Sequence, residues 1–280
     1  MVKIEKYKFR RQPTAEDKNP TELFQPMKSA SNKEIKLLRK LAKKKYRDRE
    51  NMFIVEGERA VEQVLDNGII EIKGIFISEE ILRSDYPAKC KRIEHELFLE
   101  LADTEQTQGI LALCRKPDEP NIDQIMNQDS GMILATDAIQ DPGNMGTLIR
   151  TASWYGAMCL LAGHGSVDIF NPKVVRSTAG ATGTVPGISA HLPEIFKDFK
   201  DQGWEILLLD GSEESVEMTD IKVPEKYILV VGNEGNGIQS ILLNSSYTKV
   251  RIPRKSPKTW VESLNAGIAA AVAMYHFSRG

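Results

Sequence analysis

Four short apolar runs, separated by segments with helical spacing, constrain the fold of the second half of this chain most strongly. They are residues 132–136, 158–162, 205–209 and 227–231. Runs of this kind are typical of strands buried on both faces, and their alternation with helices predicts an α/β domain with a parallel sheet. Because ligands of such sheets bind at the carboxyl ends of the strands, we expect the functional residues in the loops that follow these runs.

The first half of the chain predicts a smaller α/β domain. Ser31 and Glu34 have the spacing of a capping box, and Ile35, Leu38 and Leu41 follow at helical spacing. We expect further helices at 57–67 and 94–102, and strands at 52–55, 73–78 and 109–114.

Residues 116–130 hold two prolines and many Asp, Asn and Gln residues, which is typical of a linker between domains. The predicted organisation is a basic, flexible extension over 1–27, a small domain over 28–115, this linker, and a larger domain over 131–280.

The charges are distributed unevenly, although the formal net charge is only −2. Residues 1–50 carry 16 Lys and Arg against 7 Asp and Glu, so this segment is near +9 and the remainder near −11. One interpretation is a basic arm that faces RNA phosphates, and the other is a solvated helix with a disordered tail; charge alone favours neither. The candidate RNA contacts are Arg39, Lys43, Lys44, Lys45 and Arg47, with Lys255 in the second half of the chain.

Composition also bears on compartment and metal binding. No apolar run approaches the roughly 20 residues that cross a bilayer, and no signal peptide is visible, so we expect a cytoplasmic protein. Three widely spaced cysteines argue against a disulfide framework and a zinc site, and are expected to be buried thiols. The histidines lack metal-ligand spacing, and no metal is expected.

Three segments of the second half place polar residues and glycines directly after predicted strands. Residues 137–150 form a loop that leads into a helix, which Asn144 is placed to cap and in which Arg150 carries a guanidinium suited to a phosphate. Residues 231–238 hold three glycines within six positions, which permits close backbone approach to a flat ligand. Residues 263–274 form an Ala-rich helix that Ser263 or Asn265 would cap.

In combination these segments resemble a known family. The patterns are Asp141-Pro142-x-Asn144-x-Gly146-x-x-x-Arg150, Gly232-Asn233-Glu234-Gly235-x-Gly237, and Ile252-Pro253 with Ser263-Leu264-Asn265. Their order is similar to the three signature motifs of SpoU-type RNA 2'-O-methyltransferases, in the TrmH-like branch of the SPOUT superfamily. Residues 43–57 resemble the family's N-terminal, ribosomal-protein-like substrate-binding domain, so the resemblance extends over about 30–280.

The resemblance implies a parallel sheet with a trefoil knot, S-adenosylmethionine as methyl donor, a structured RNA as substrate, and a homodimer. It assigns catalytic roles to Arg150, Asn144, Glu234, Ser263 and Asn265. It assigns donor binding to Leu209, Asp210, Gly211, Gly232, Asn233, Gly237, Ile252 and Leu264. An arginine guanidinium is not a simple base in proteins, so Glu234 is a second candidate for the proton acceptor beside Arg150. The alternative role of Glu234 is to pair with an Arg or to cap a helix.

One departure from the family pattern concerns a loop. Nine residues, 254–262, separate Pro253 from Ser263, where relatives commonly have about six, and the loop carries Lys255, Lys258 and Trp260. It is expected to contact RNA or to alter donor affinity, and a tolerated surface insertion without either role is the other interpretation. The favoured substrate is 23S-type ribosomal RNA; transfer RNA, or a non-catalytic RNA-binding assembly protein that retains the fold, are the alternatives.

Overall fold

The computed structural model describes residues 27–81, 90–255 and 263–279. It divides into two compact units, one made of Met1–Pro117 with Phe170–Gly180 and the other of Asp118–Ile169 with Ala181–Gly280. Residues 1–26 of the predicted extension, and Lys258 and Trp260 of the long loop, lie outside the described residues. No helix in the described part of the chain is both long and apolar enough to span a membrane.

The first unit is a four-stranded sheet with helices. Its elements are α1 Asn32–Leu41, α2 Lys44–Glu50, β1 Met52–Glu56, α3 Glu58–Asn67, β2 Ile72–Ser78, β3 Lys91–Ile93, α4 His95–Leu101 and β4 Ile110–Arg115. The strand order is β1-β4-β2-β3, in which β4 is antiparallel to both neighbours and β3 is parallel to β2. The helices and strands expected from the sequence are present, and helix α2 and the short edge strand β3 are additional.

The capping box at the start of α1 forms as the sequence predicts. The backbone N–H of Glu34 donates to the Ser31 hydroxyl over 3.4 Å, and the backbone N–H of Ser31 donates to the Glu34 carboxylate over 2.9 Å. Leu38 and Leu41 are buried on the opposite side from the lysines. The apolar stripe therefore packs on the unit while the basic face of α1 points to solvent.

The second unit is built on a seven-stranded sheet. Its elements, with one helix of the first unit that interrupts them, are α5 Ile122–Met126, β5 Gly131–Asp137, α6 Pro142–Trp154, β6 Cys159–Gly163, α7 Pro172–Ser177, β7 Gly187–Ala190, α8 Leu192–Asp201, β8 Glu205–Leu209, β9 Val216–Glu217, β10 Lys226–Gly232, α9 Ser240–Leu243, β11 Thr248–Arg251 and α10 Ala266–Phe277. The strand order is β7-β6-β5-β10-β8-β11-β9, and every pairing is parallel. The predicted α/β class with a parallel sheet is confirmed.

Helix α7 is the element that interrupts the second unit, because it packs with the first. Val175 belongs to the buried cluster formed by β1, α3 and β4, and the ring of Phe170 lies 4.8 Å from that of Phe53. Arg176 pairs with Asp103 over 2.5 Å. The apolar residues of this segment are thus covered by the first unit, although the sequence places them within 131–280.

The three cysteines, Cys90, Cys114 and Cys159, are free and buried, as the sequence predicts. Burial raises the pKa of the Cys90 thiol to about 11 and that of Cys159 to about 12. These thiols therefore stay protonated at neutral pH and pack as small apolar groups.

Candidate active site

The carboxyl ends of four neighbouring strands bring the three motifs together. In the sheet Gly232 of β10 lies beside Asp137 of β5, and Leu209 of β8 lies beside Val231 of β10 and Val250 of β11. Since these strands are parallel, the loops that follow all four begin at the same edge of the sheet. Sequence segments that are far apart along the chain therefore converge at one place.

The first motif begins α6 differently from the prediction. The cap is Asp141, whose carboxylate accepts from the backbone N–H of Asn144 over 2.7 Å, and Pro142 occupies the first helical turn. The prediction that Asn144 caps this helix is wrong. The reason is that Pro142 fixes the start one residue after Asp141, which places Asn144 within the first turn and leaves its side-chain amide for other contacts.

Asn144 joins the other two motifs through that amide. Its Nδ2 donates to Oε1 of Glu234 over 2.6 Å, and its Oδ1 accepts from Nδ2 of Asn265 over 2.9 Å. Asn265 in turn caps α10, because its Oδ1 accepts from the backbone N–H groups of Gly267 and Ile268. One residue from each motif thus belongs to a single hydrogen-bond chain, with Asn144 at its centre.

The glycine-rich turn after β10 is closed tightly. A Cβ at Gly232 would lie 2.4 Å from the backbone of Gly237 and Ile238, so only glycine fits there. Asn233 and Gly237 exchange two backbone hydrogen bonds of 2.9 and 3.0 Å. The side chain of Asn233 accepts from two N–H groups of the turn and donates to the carbonyl of Ala138 over 2.8 Å. Asn233 and Gly237 therefore shape the turn.

The loop after β8 is also fixed internally. The carboxylate of Asp210 accepts from the hydroxyls of Ser212 and Ser215 over 2.5 and 3.0 Å. The backbone N–H of Asp210 donates to the carbonyl of Val250 in β11. The side chain of Asp210 is thereby committed to the loop. Gly211 beside it has open space at its Cα. A Cβ placed there would lie 4.0 Å from the guanidinium of Arg254.

The remaining predicted site residues lie at the surface. Arg150 on α6 is exposed and makes no hydrogen bond or ion pair to any residue that the structure describes. Ser263 is likewise exposed and outside the hydrogen-bond chain of Asn144. Leu264 is 49% exposed beside Asn265, and Ile252 is half-buried at the end of β11.

These features fit S-adenosylmethionine. The exposed Leu264 offers apolar surface, and the open space at the Cα of Gly211 leaves room for the flat adenine. The residues that would hold the donor are Leu209, Gly211, Gly232, Ile252 and Leu264.

Two polar residues at this edge were not singled out by the motifs. Asp137, at the end of β5, is 1% exposed, and its carboxylate accepts from both the backbone N–H and the side-chain amide of Gln239. The only sequence signal was the position of Asp137 at a predicted strand end.

The candidate RNA contacts of the first unit differ among themselves. Arg39 pairs with Glu100 and Lys44 with Asp48, over 2.6 and 2.7 Å. Lys43 and Lys45 are exposed, and Lys255 of the second unit is exposed too.

Arg47 is a correction to that set. It is 2% exposed, and its guanidinium donates to the carbonyls of Leu41 and Ala42 over 2.9 Å each. Its guanidinium thus bonds the end of α1 from inside the unit instead of facing RNA, because helix ends leave carbonyls that need donors.

Comparison with known proteins identifies the class of enzyme. Residues 131–275 match the SpoU rRNA Methylase family, and residues 32–112 match the MRM3-like substrate binding domain. The chain therefore belongs to the SpoU rRNA Methylase family. It is an RNA methyltransferase, with S-adenosylmethionine as the family's methyl donor, and these predictions are confirmed.

Individual relatives extend over nearly the whole chain. The 23S rRNA (guanosine(2553)-2'-O)-methyltransferase RlmP of Bacillus subtilis (strain 168) is 33% identical over 256 residues, which cover 89% of this chain and 98% of the relative. A solved RNA methyltransferase of the TrmH family from Porphyromonas gingivalis is 32% identical with a TM-score of 0.73, over 89% of this chain and 98% of that one. An AdoMet-bound rRNA methyltransferase from Sinorhizobium meliloti has the same fold, with a TM-score of 0.76 at 24% identity over 90% and 96% of the two chains.

Proposed function

We propose that this protein methylates a ribose 2'-hydroxyl of 23S-type ribosomal RNA. The observation that carries the proposal is the hydrogen-bond chain Glu234–Asn144–Asn265, which unites the three motifs at the carboxyl edge of the sheet. The choice of RNA is supported by the similarity to RlmP, which is a 23S rRNA methyltransferase. Transfer RNA is the second candidate substrate.

S-adenosylmethionine supplies an electrophilic methyl group on a sulfonium. The protein's contribution is then to hold the ribose in line with that group, because an in-line displacement gains most of its rate enhancement from the positioning of the reactants. Arg150 is the exposed guanidinium of the first motif, and we assign it to the phosphate next to the target ribose. Asn144 and Asn265 fix the loops on either side, and Ser263 is assigned to the substrate from its motif position alone.

Glu234 is our candidate for the group that accepts the hydroxyl proton. Its Oε1 accepts from Asn144, while Oε2 has no hydrogen-bond partner among the described residues. One oxygen is therefore oriented and the other is available for a proton. Arg150 remains the alternative, acting by stabilising the developing alkoxide instead of as a free base.

The test is transfer of a labelled methyl group to unmodified cellular RNA, fractionated by size. We expect label in the large ribosomal RNA, at a ribose 2'-oxygen when the RNA is digested to nucleosides. Label in transfer RNA alone would replace the proposed substrate by the second candidate. Donor binding without label in naked RNA, but with label in ribosomal particles, would mean that an assembly intermediate is the substrate. No donor binding would favour the non-catalytic assembly protein.

We also propose a homodimer, because two helices present apolar groups to solvent. On α10, Ile268 is 53% and Tyr275 52% exposed on one face, and on α6 Trp154 is 84% exposed. Helices α6 and α10 pack on each other, with Thr147 about 3.1 Å from where a Cβ of Gly267 would lie. A helix that is apolar on all sides is normally covered on all sides, and a second copy would cover this one.

Light scattering tests the dimer directly. We expect twice the chain mass at micromolar concentration, and a shift to the chain mass in Ile268→Glu/Tyr275→Glu. A wild-type protein of single-chain mass would contradict the proposal.

We also propose a cytoplasmic location. The proposal is supported by the three cysteines, which are free and buried thiols.

A further inference from the structure

Asp137 is a buried carboxylate at the edge of the sheet where the motifs meet. Its side chain is 1% exposed, and it accepts two hydrogen bonds from one residue: Oδ2 accepts the backbone N–H of Gln239 over 2.7 Å, and Oδ1 accepts its Nε2 over 2.6 Å. We propose that Asp137 and Gln239 are positioning residues that hold the glycine-rich turn in the shape that receives the methyl donor. This inference rests on the proposed function.

The carboxylate calls for an explanation because burying a charge is costly. No cation pairs with Asp137 in the described part of the chain, so a neutral amide and a backbone N–H alone satisfy it. An apolar side chain at the end of β5 would pack there at a lower desolvation cost. We therefore explain the carboxylate by its contact with Gln239, because a pair of hydrogen bonds fixes both the distance and the orientation of that residue.

The bond to Gln239 closes the turn at its base. Residues 232–239 are tied to residues 137–144 at three points, which are Asp137 with Gln239, Ala138 with Asn233, and Asn144 with Glu234. The bond of Asn144 with Glu234 is exposed, and the bond of Asn233 with the backbone carbonyl of Ala138 joins two half-buried residues. Gln239 is also exposed, but Asp137 is buried. Asp137 is therefore the most deeply buried of the six residues that form these bonds, and its carboxylate lies where the local dielectric strengthens a hydrogen bond.

The turn tolerates little displacement once it is closed. Gly232 is already in contact with Gly237 and Ile238, and Gln239 both ends the turn and precedes the first residue of α9. If the base opens, the backbone groups assigned to the donor separate and Glu234 moves with them. Loss of the bond should thus raise the dissociation constant of the donor before it affects the RNA.

A charge exchange tests this without removing atoms. Gln239→Glu sets a second carboxylate against Asp137 and turns one attractive bond into a repulsion. Adding Asp137→Asn restores the fork in the opposite sense, since the new amide donates to the new carboxylate and its carbonyl still accepts the backbone N–H at position 239. Gln202→Glu, at an exposed position after α8, is the matched control for the added charge.

The measurement is calorimetric titration of the full chain with S-adenosylmethionine, beside a thermal melt of each variant. We expect Gln239→Glu to raise the dissociation constant about 10- to 100-fold, as for a lost bond to a charged group. We expect Asp137→Asn/Gln239→Glu to return to within about threefold of wild type, and Gln202→Glu to be unchanged. At saturating donor, kcat and the KM for RNA should change less than the donor affinity.

Two results would overturn the inference: a wild-type dissociation constant in Gln239→Glu, or no recovery in the double variant. If Gln239→Glu does not fold, Gln239→Ala keeps the backbone bond and loses only the amide, and a dissociation constant equal to wild type would then count against the inference. A wild-type protein that binds no donor would instead refute the proposed function, so the two failures are distinguishable.

Discussion

The two polar regions of this protein are built in opposite ways. The site in the second unit depends on hydrogen bonds between residues that are far apart in the sequence. Glu234 is 90 positions from Asn144, and Asn265 is 121 positions from it. The basic face of the first unit comes from one short stretch, residues 39–45, whose charged groups are exposed. The first region exists only when the sheet has formed, whereas the second needs little more than two helices.

This difference predicts which substitutions should have coupled effects and which should have additive ones. Groups that share hydrogen-bond partners give coupled effects, while separate exposed charges give additive ones. We therefore expect the site to respond as a unit and the basic face to respond charge by charge. Arg150 differs from the other site residues because it bonds to none of the residues that the structure describes, and Arg47 differs from the exposed charges near it because it is buried.

The largest effect is expected from Arg150→Ala. Methyl transfer should fall about 10²- to 10³-fold, as for the loss of one donor that stabilises developing charge. Donor binding should not change, because Arg150 bonds to none of the described residues of the donor loops. Label transfer at saturating donor, with Lys197→Ala on α8 as the control, measures this. An equal loss of donor affinity would show that Arg150 also supports the network, and would weaken the comparison.

Arg47→Met should affect stability and not RNA binding. The substitution removes the Arg47 donor from the carbonyls of Leu41 and Ala42, at about 1–3 kcal/mol for the buried Leu41 bond and less for Ala42, which is exposed. Urea denaturation should show this loss in the free energy of unfolding, while Lys45→Met, at an exposed position, should change it by less than about 0.5 kcal/mol. Weaker RNA binding by folded Arg47→Met, with unchanged stability, would return Arg47 to the RNA-binding set.

The coupling within the site is tested with Asn144→Ala and Asn265→Ser. Serine still caps α10 but is too short to reach Asn144, so this variant removes the link without removing the cap. A double-mutant cycle on methyl transfer should give a coupling of about 0.5–3 kcal/mol. Additive losses would mean that the two asparagines act separately, and the contrast with the basic face would disappear.

Local features of this chain were predictable from its sequence. The capping box at Ser31, the four apolar strands and the cap at Asn265, one of two candidates, all depend on neighbours within a few residues. The motifs could be recognised because each is a short contiguous pattern and their order can be read directly from the sequence. The trefoil knot and the roles of the site residues stay predictions of the resemblance.

Features that depend on the folded chain were not predictable. Asp137 and Gln239 are 102 positions apart, and no spacing indicates that they share a bond. Arg47 lies within a run of lysines, so charge predicted exposure, but the end of α1 required a donor. Helix α7 was assigned to the wrong surroundings because an apolar residue such as Val175 does not record which core covers it.

The smallest effect is expected at the basic face, from Lys43→Ala and Lys45→Ala. Each should raise the dissociation constant for ribosomal RNA a few-fold and reduce the slope of log affinity against log salt by about 0.7–0.9, as for one phosphate contact. Arg39→Ala should have less effect, because Arg39 must first leave Glu100. Electrophoretic mobility shifts across a salt series measure both. Additive slopes would sharpen the comparison with the coupled site, and equal slopes for Arg39 and Lys43 would show that ion pairing on the surface does not withhold a charge from RNA.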